Sequence, residues 1–215
     1  MTKQERAVRT RHSLIRSAAE AFQRHGYVQA KLAEISSSAG VSPGALHFHF
    51  ENKAAVASTV EATAGVTLRR AARLAQHPGM NALQRLTNAS HALADHLRRD
   101  VVARAGFQLS CDAARRTGLN LRQEWQGCVQ QLLAEAADEN LLAPHVAQSD
   151  MVTAIVAATT GFETLGRDNP EWLSHRSLTG FWRIVLPCLA TAEALAGLEP
   201  GSTEPSLAGA EVLHR

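Results

Sequence analysis

The chain has 215 residues, of which 45% are hydrophobic and 20% charged, and its net charge is +2. This composition allows a buried core, and the many Ala, Leu, Arg, Gln and Glu residues favour an all-α fold. No apolar run approaches the about 20 residues of a membrane span. No apolar stretch follows the basic first residues, so we expect no secretory signal, and the three cysteines lack CxxC spacing, so we expect no disulfide framework. Together these features predict a cytoplasmic protein.

The first predicted helix runs from Thr10, its expected N-cap, to about Tyr27, because apolar residues recur there at helical spacing. Gly26 is its predicted left-handed C-terminal cap. A short helix follows at about residues 31–39, and another at about residues 43–49. A fourth helix is predicted to begin at Asn52.

Longer helices are predicted in the second part of the chain, beyond Pro78. Their expected ranges are about residues 80–97, 101–115, 120–139, 149–167 and 172–196. Pro187 lies within the last of these helices and is expected to kink it, because proline lacks the backbone N–H of a helix interior. Residues 197–215 are rich in Gly, Pro and Ser, a composition that predicts a flexible tail.

The two short helices show the spacing of a helix-turn-helix. Gly40 supplies a tight turn, and Ser42 is a suitable N-cap for the second helix. Pro43 then occupies the first helical position, which proline favours. Ser36 lies four positions before Gly40, where steeply crossing helices leave no room for a bulky side chain. Leu46 is placed to fill the small core between them. This pattern predicts that the second helix enters the major groove of DNA.

The charge of the chain is unevenly distributed. Residues 1–60 contain eight Lys or Arg and four Asp or Glu, a net charge of +4, which leaves −2 for the remainder. A basic N-terminal quarter suits a polyanionic partner such as DNA. A solvated helix face would show the same charge, so charge alone leaves both interpretations open.

Residues 10–53 resemble the N-terminal domain of the TetR family, through the segments TRHSLIRSAAEAFQRHGY and AEISSSAGVSPGALHFHFENK. The resemblance implies a three-helix DNA-binding domain at residues 1–51. It also implies a helical ligand-binding and dimerisation domain at residues 52–196, ahead of the tail at 197–215. Proteins of this family are homodimers that bind palindromic operators in double-stranded DNA, and we expect the same partners here.

The resemblance also implies which side chains contact DNA. By position these are Arg9, Arg11, Lys31, Ser42, Pro43, Gly44, Ala45, His47, Phe48, His49 and Lys53. Gly44 has no side chain and lets the backbone approach the duplex closely, while Ala45 is placed to touch a thymine methyl group. His49 and Lys53 match phosphate contacts of the family.

Two other interpretations apply to the same segment. His47 and His49 form a candidate metal pair, but residues two apart on a helix point in different directions, which disfavours a metal site. Phe48 and Phe50 fit core side chains better than base-stacking platforms, although Phe48 lies on the predicted recognition helix.

Most of residues 1–196 resemble a narrower group, the γ-butyrolactone autoregulator receptors of actinomycetes. The segments that carry this resemblance are MTKQERAVRTR, ALHFHF and DVVARAGFQL, together with Trp125. The group places a tryptophan over the lactone, which implies that role for Trp125. Three features depart from the group: the basic pI of about 8.6, Gln108 where arginine is common, and Ala64 where some receptors have a polar contact with the ligand. These departures favour a receptor-like homologue that binds a different molecule.

The predicted effector site combines mostly apolar walls with a few polar anchors, as small amphiphiles require. Its candidate residues are Trp125, Phe107, Gln108, Leu109, Cys111, Thr159 and Phe162. Each of the apolar residues, including Trp125, also fits an ordinary core position. By family analogy, the helices at 149–167 and 172–196 form the dimer interface.

The sequence therefore predicts a repressor that releases its operator on binding a γ-butyrolactone-type signal, or an endogenous antibiotic or intermediate, and so controls secondary metabolism. Two alternatives stay open: a TetR-type regulator without a small-molecule ligand, and one that senses oxidation through Cys111 or Cys128. No H-E-x-x-H or P-loop pattern is present, so we expect no enzyme activity, cofactor or metal.

Overall fold

The computed structural model describes residues 2–77, 79–112 and 118–203. Across this part of the chain the regular structure is helical and no β-strand occurs, apart from an isolated antiparallel bridge between Leu142 and Ala190. The predicted all-α fold is confirmed. None of the helices in these ranges is long and apolar enough to cross a lipid bilayer.

Ten α-helices follow one another along the described chain. They are α1 (Lys3–Gln29), α2 (Leu32–Ser38), α3 (Pro43–His49), α4 (Lys53–Leu74), α5 (Ala82–Arg99), α6 (Val101–Ser110), α7 (Leu121–Asp138), α8 (Gln148–Leu165), α9 (His175–Leu189) and α10 (Ala192–Leu195), with a 3₁₀ helix at Pro170–Leu173. The chain divides into two compact units, Met1–Arg70 with His96–Gly127 and Ala71–Asp95 with Cys128–Arg215.

Helix α1 begins at Lys3, earlier than the predicted start at Thr10. The Thr2 hydroxyl accepts from the backbone N–H of Glu5, and the Glu5 carboxylate accepts from the backbone N–H of Thr2. This capping box satisfies two donors that helix ends leave unpaired, so the helix extends to the start of the chain. At its other end Gly26 has a φ of 72°, which confirms the predicted left-handed residue.

The core of the first unit joins α1 to α2, α3, α4 and α6. Its buried side chains are Leu14, Ile15, Ala18, Ala19, Ala21, Phe22, Ala30, Ile35, Leu46, Phe50, Val56, Ala57, Val60, Ala105 and Leu109. In α1 these positions recur every three or four residues and so lie on one face. The short helix α3 contributes a single buried side chain, Leu46, and its other residues are exposed or half-buried.

The second unit is built around Trp182, which is fully buried in α9. Its indole N–H donates to the Ser90 hydroxyl of α5 at 2.6 Å, so the polar atom of the buried ring has a partner. The single helix predicted at residues 172–196 is wrong. A 3₁₀ helix, α9 and α10 occupy that range, and α9 ends two residues after Pro187, whose missing N–H removes a helical hydrogen bond.

The segment at residues 198–203, here called the C-terminal strap, is held against α5 and α9. Gln84 accepts from the Glu199 N–H at 2.8 Å and donates to the Glu199 carbonyl at 3.2 Å. Asn88 accepts from the backbone N–H of Thr203 and donates to its hydroxyl. The predicted flexible tail is therefore wrong for residues 197–203, because buried amides supply the partners this segment cannot supply itself. Residues 204–215 lie outside the described residues.

Two histidines complete the contacts of the C-terminal strap. His91 of α5 lies 2.9 Å from the Pro200 carbonyl and His175 of α9 is bonded to the Gly201 carbonyl, while their rings are 4.7 Å apart. Because carbonyl oxygens only accept, both rings donate through Nε2. Burial lowers the pKa of His91 to about 4, with a smaller contribution from His175 and an opposing one from the Pro200 hydrogen bond.

We expect acid to destabilise the protein through His91. An unfolded histidine titrates near 6.5, so as pH falls the unfolded state takes up this proton first, and stability that is complete above pH 6.5 is lost toward pH 4. The 2.5-unit difference between 6.5 and about 4 corresponds to about 3 kcal/mol in the free energy of unfolding. Urea unfolding of wild type and His91→Gln between pH 7 and 4.5 checks this. Glutamine retains a donor without titrating, so identical pH profiles of the two proteins would contradict the assignment.

Candidate nucleic-acid interface and effector residues

Helices α2 and α3 form the helix-turn-helix that the sequence predicts. Gly40 adopts a φ of 69° in the turn, a conformation that favours glycine. The Val41 N–H donates to the Ser36 carbonyl at 3.0 Å and closes the turn. Ser36 is buried, as its place at the helix crossing requires. The Ser13 hydroxyl of α1 donates to the Ala39 carbonyl at 3.3 Å, which ties the turn to α1.

Helix α3 is anchored by one side chain and presents its other faces outward. The Ser42 hydroxyl accepts from the Ala45 N–H at 3.2 Å, which confirms the predicted cap. Leu46 is 1% exposed. On a helix with 3.6 residues per turn, Gly44 and Phe48 lie opposite Leu46, and both are exposed, together with His47. The outward face is thus formed by the residues that the sequence assigned to DNA.

The two phenylalanines at the end of α3 differ in environment. Phe50 is buried, as predicted, and the Arg11 guanidinium lies 5.5 Å from its ring centre. Phe48 is 80% exposed, so its interpretation as a core side chain is wrong. It lies two positions after Leu46 and therefore points away from the core. Its ring centre lies 5.2 Å from that of the half-buried His49 ring, with the two ring planes nearly perpendicular.

The cations near this helix fall into two kinds. Arg9, Arg11 and Lys31 are exposed on α1 and at the start of α2. Lys53, the first residue of α4, instead points toward the end of α1. Its ammonium donates to the Val28 carbonyl at 2.9 Å and to the Ala30 carbonyl at 3.1 Å. The sequence did not predict this inward contact.

Helix α6 packs closely on α4 within the first unit. A Cβ atom at Gly106 would lie 2.3 Å from the Ala64 Cβ and 2.7 Å from the Val60 carbonyl oxygen. Ala64 is completely buried at this contact. The neighbouring Arg104 donates to the Gln23 side chain of α1 at 2.9 Å, so α6 is fixed to α1 as well as α4.

A second link in this unit joins α4 to α7. The Arg69 guanidinium donates to both carboxylate oxygens of Glu124 at 2.9 Å. Both side chains are well exposed, so the ion pair contributes little to stability, typically about 0–1 kcal/mol.

The predicted effector residues are distributed over both units. Trp125, Phe107 and Leu109 are buried and Gln108 and Cys111 half-buried in the first unit. Thr159 and Phe162 are half-buried in the second.

The structure brings two of the effector candidates together in the first unit. Gln108 and Leu109 line a cavity of about 130 Å³ that the sequence did not predict, formed with Phe22, Gly26, Tyr27, Ala105 and Asp112. It lies between α1 and the end of α6. Ligand pockets usually have about 300–1,000 Å³, so this cavity by itself is too small for a drug-sized molecule.

The effector candidates of the second unit belong to α8. The Thr159 hydroxyl donates to the Ile155 carbonyl of its own helix at 2.8 Å. The Phe162 ring lies 5.6 Å from the ring of Phe181, edge to face, and 6.3 Å from that of Trp172. Phe162 is therefore part of a partly exposed aromatic cluster in this unit.

The two cysteines considered for oxidation sensing lie in different surroundings. Burial raises the pKa of the Cys128 thiol, and Glu135 raises it further, so the reactive thiolate is disfavoured there. Cys111 is half-buried, with its sulfur 3.8 Å from the Ser110 hydroxyl oxygen. Within the described ranges, no three His, Cys, Asp or Glu side chains are grouped as metal ligands.

Comparison with known proteins matches this site to a family of regulators. Residues 14–60 match the family described as "Bacterial regulatory proteins, tetR family". The A-factor receptor protein of Streptomyces griseus is 29% identical over 203 residues, which cover 93% of this chain and 71% of the receptor. The HTH-type transcriptional regulator TtgR of Pseudomonas putida is 44% identical, but over only 50 residues, 23% of this chain and 24% of TtgR.

Solved structures extend the similarity beyond the DNA-binding segment. A γ-butyrolactone receptor described as an ArpA-like protein has a TM-score of 0.77 and 26% identity, covering 89% of this chain and 93% of that one. CprB of Streptomyces coelicolor, solved in complex with its operator sequence, has a TM-score of 0.75 and 28% identity with the same coverage. The chain thus contains a segment at residues 14–60 that matches the tetR family, and it is similar to the A-factor and γ-butyrolactone receptors over most of its length.

Proposed function

We propose that the protein is a homodimeric repressor that binds a palindromic operator through α3 and releases it when a small molecule binds. The observation that carries this proposal is the outward face of α3, where Gly44 and Phe48 are exposed opposite the buried Leu46. A short helix held by one core side chain, with a glycine at its outer surface, suits close approach to the floor of a major groove.

The proposed DNA contacts divide into groove and backbone contacts. Gly44, Ala45, His47 and Phe48 lie on the surface of α3 that would face base edges, where Ala and Phe are suited to thymine methyl groups. The contacts proposed for sugar and phosphate come from the start and end of α3 and from neighbouring cations: Arg9, Arg11, Lys31, Ser42 and His49. Pro43 has no N–H to donate to a phosphate, so its proposed contact is with a sugar. Such contacts fix the register of the protein on the duplex but do not read its sequence.

The operator can be identified before any target gene is known. Purified protein is used to select duplexes from a pool with a randomised segment of about three helical turns, and the selected sequences are compared. We expect an inverted repeat with half-sites about 34–36 Å apart, the spacing of one helical turn. A pool without enrichment after several rounds would refute the proposed DNA-binding function.

For the effector we propose a γ-butyrolactone-type signal, or an endogenous antibiotic or biosynthetic intermediate, that acts on genes of secondary metabolism. The support is the similarity to the A-factor and γ-butyrolactone receptors and the burial of Trp125, Phe107 and Leu109. Bound ligand would then weaken DNA binding, and bound DNA would weaken ligand binding by the same coupling free energy, typically about 1–3 kcal/mol. The protein would act in the cytoplasm, by binding rather than by catalysis.

Trp125→Ala tests the effector site. We expect this variant to keep its affinity for the selected duplex and to lose release by the effector, because the proposed base contacts lie on α3 and not on α7. The measurement is duplex fluorescence anisotropy during titration with a synthetic γ-butyrolactone, and with a fractionated extract of the producing organism. Trp125→Phe preserves an aromatic ring and should retain part of the response. Equal loss of duplex binding and release would show that Trp125 is only structural.

Dimerisation is proposed through α8 and α9. Ile184 is 73% exposed on α9, on the side away from Trp182, and Leu165 is 46% exposed at the end of α8. Ala154 and Ala157 are exposed on α8, where small side chains permit close helix approach. A two-fold dimer places two copies of α3 on a palindromic site.

Replacing Ile184 with glutamate should weaken the dimer. A two-fold interface would bury this carboxylate twice, and we expect the dimer to dissociate at least ~30-fold more readily, the effect of an interface hot spot. Light scattering coupled to size-exclusion chromatography measures the oligomeric state across a dilution series. Val28→Glu alters an equally exposed apolar residue of the first unit and serves as the matched control. An unchanged dimer in Ile184→Glu would exclude this face.

A further inference from the structure

The ammonium of Lys53 is surrounded by groups of its own unit. Two backbone carbonyls accept its protons, from Val28 at 2.9 Å and from Ala30 at 3.1 Å. The ring centre of Tyr27 lies 4.9 Å from the same nitrogen, within the about 6 Å of a cation–π contact. A lysine has three donors and no acceptor, so two carbonyls and one ring face account for its capacity.

The position of Lys53 in the sequence agrees with this inward contact. It is the first residue of α4, where the positive end of the helix dipole opposes a cation. The start of α4 is capped instead by Asn52, whose side-chain oxygen accepts from the Ala55 N–H at 2.9 Å. The carbonyls at the end of α1, beyond the break at Gly26, carry the opposite partial charge. The ammonium of Lys53 is therefore stabilised when its side chain extends toward the end of α1.

This contact bears on the direction of α3. Helix α3 ends at His49 and α4 begins at Lys53, so only three residues join them, and one of these, Phe50, is buried in the core. Fixing the first residue of α4 to the last turn of α1 therefore restrains the recognition helix that precedes it. Leu46 sets the depth of α3 in the unit, and the Lys53 contact limits its rotation about that anchor.

We infer that Lys53 is a positioning residue, which orients α3 by joining α4 to α1, and that it does not contact the phosphates of the operator. The inference rests on the proposed DNA-binding function and replaces the phosphate contact that the family resemblance implies for Lys53. Lys31, exposed at the start of α2, is the matched lysine for which the proposed phosphate contact is kept.

The salt dependence of duplex binding separates the two lysines. Each phosphate contact contributes about 0.9 to the slope of log K against log salt concentration. We expect Lys53→Ala to bind the selected duplex about tenfold more weakly at every salt concentration, the equivalent of one charge-assisted hydrogen bond, with an unchanged slope. Lys31→Ala should reduce the magnitude of the slope by about 0.9, the contribution of one phosphate contact. A slope reduced equally in both variants would overturn the inference.

The single tyrosine of the chain gives a second, direct measurement. Protein labelled with 3-fluorotyrosine shows one ¹⁹F resonance, from Tyr27, whose ring lies beside Lys53. We expect Lys53→Ala to shift this resonance, and Lys53→Arg, which retains a cation with several donors, to restore most of the wild-type shift and affinity. Addition of selected duplex to wild type should leave Lys53 in place, and the resonance close to its free position.

The outcomes of this experiment distinguish the inference from the function on which it rests. A wild-type resonance that moves to the Lys53→Ala position when duplex binds would show that the lysine leaves Tyr27 for a phosphate, and would overturn the inference alone. Failure of the wild type to bind any selected duplex would refute the proposed function. In that case the ¹⁹F shift between wild type and Lys53→Ala would still establish the contact between α4 and α1.

Discussion

Gly44→Leu is expected to abolish specific DNA binding while leaving the protein folded. A side chain at Gly44 meets no atom of the protein closer than the Ser42 hydroxyl, 3.9 Å from an added Cβ, and points outward from α3. Leucine is also a better helix former than glycine, by up to about 1 kcal/mol. The same side chain would separate the backbone of α3 from the groove floor. We expect affinity for the selected duplex to fall by about 10³-fold, to the level of non-specific binding.

The control for Gly44→Leu is Gly127→Leu. Gly127 is an exposed glycine of α7 in the same unit, and an added Cβ there meets nothing within 4 Å. Anisotropy titrations with selected and scrambled duplexes, at one salt concentration, measure both variants, and thermal unfolding confirms that they are folded. Gly127→Leu should bind like wild type. Tight binding of the selected duplex by Gly44→Leu would show that α3 does not enter the groove by this face.

The second large effect is expected at Gly106, where α6 crosses α4. Because a Cβ would lie 2.3 Å from the Ala64 Cβ and 2.7 Å from a backbone oxygen, even alanine forces the helices apart. We expect Gly106→Ala to lower the free energy of unfolding by about 3 kcal/mol, at the upper end of overpacking effects. Gly106→Leu adds three further carbons to the same contact and should prevent the first unit from folding.

A matched glycine again separates packing from helix propensity. Gly127→Ala makes the same chemical change in an open helical position and should stabilise the protein by about 0.5–1 kcal/mol. Urea unfolding followed by circular dichroism measures both alanine variants. The two are expected to differ in sign, so a stabilising Gly106→Ala would show that α6 and α4 are farther apart than the structure places them.

The features that could be predicted from the sequence depend on neighbours close along the chain. Ser42 and Pro43 mark the start of α3 within a few residues, and Gly26 and Gly40 adopt the left-handed conformations that their turns require. The start of α1, which the apolar spacing places too late, is also a local feature, since Thr2 and Glu5 form a capping box three residues apart.

The features that could not be predicted depend on distant partners or on orientation. Lys53 binds carbonyls 23 and 25 residues away, and nothing in the sequence near it indicates the direction of its ammonium. The C-terminal strap resembles a flexible segment by composition, and its order depends on amides of Gln84 and Asn88, 115 residues earlier. The core interpretation of Phe48 is wrong because Phe48 lies on the side of α3 opposite the buried Leu46. A phenylalanine in a helix indicates a core position only when it lies on the same side as the other buried residues.

The C-terminal strap also sets the order in which the protein matures during synthesis. The first unit needs only residues up to Gly127, whereas the buried amides of α5 wait for residues 115 positions later. At the usual ~5–20 residues per second of translation, this delay is roughly 6–23 s. The nascent chain therefore contains all residues of the first unit before the buried amides of the second unit can reach their partners in the strap.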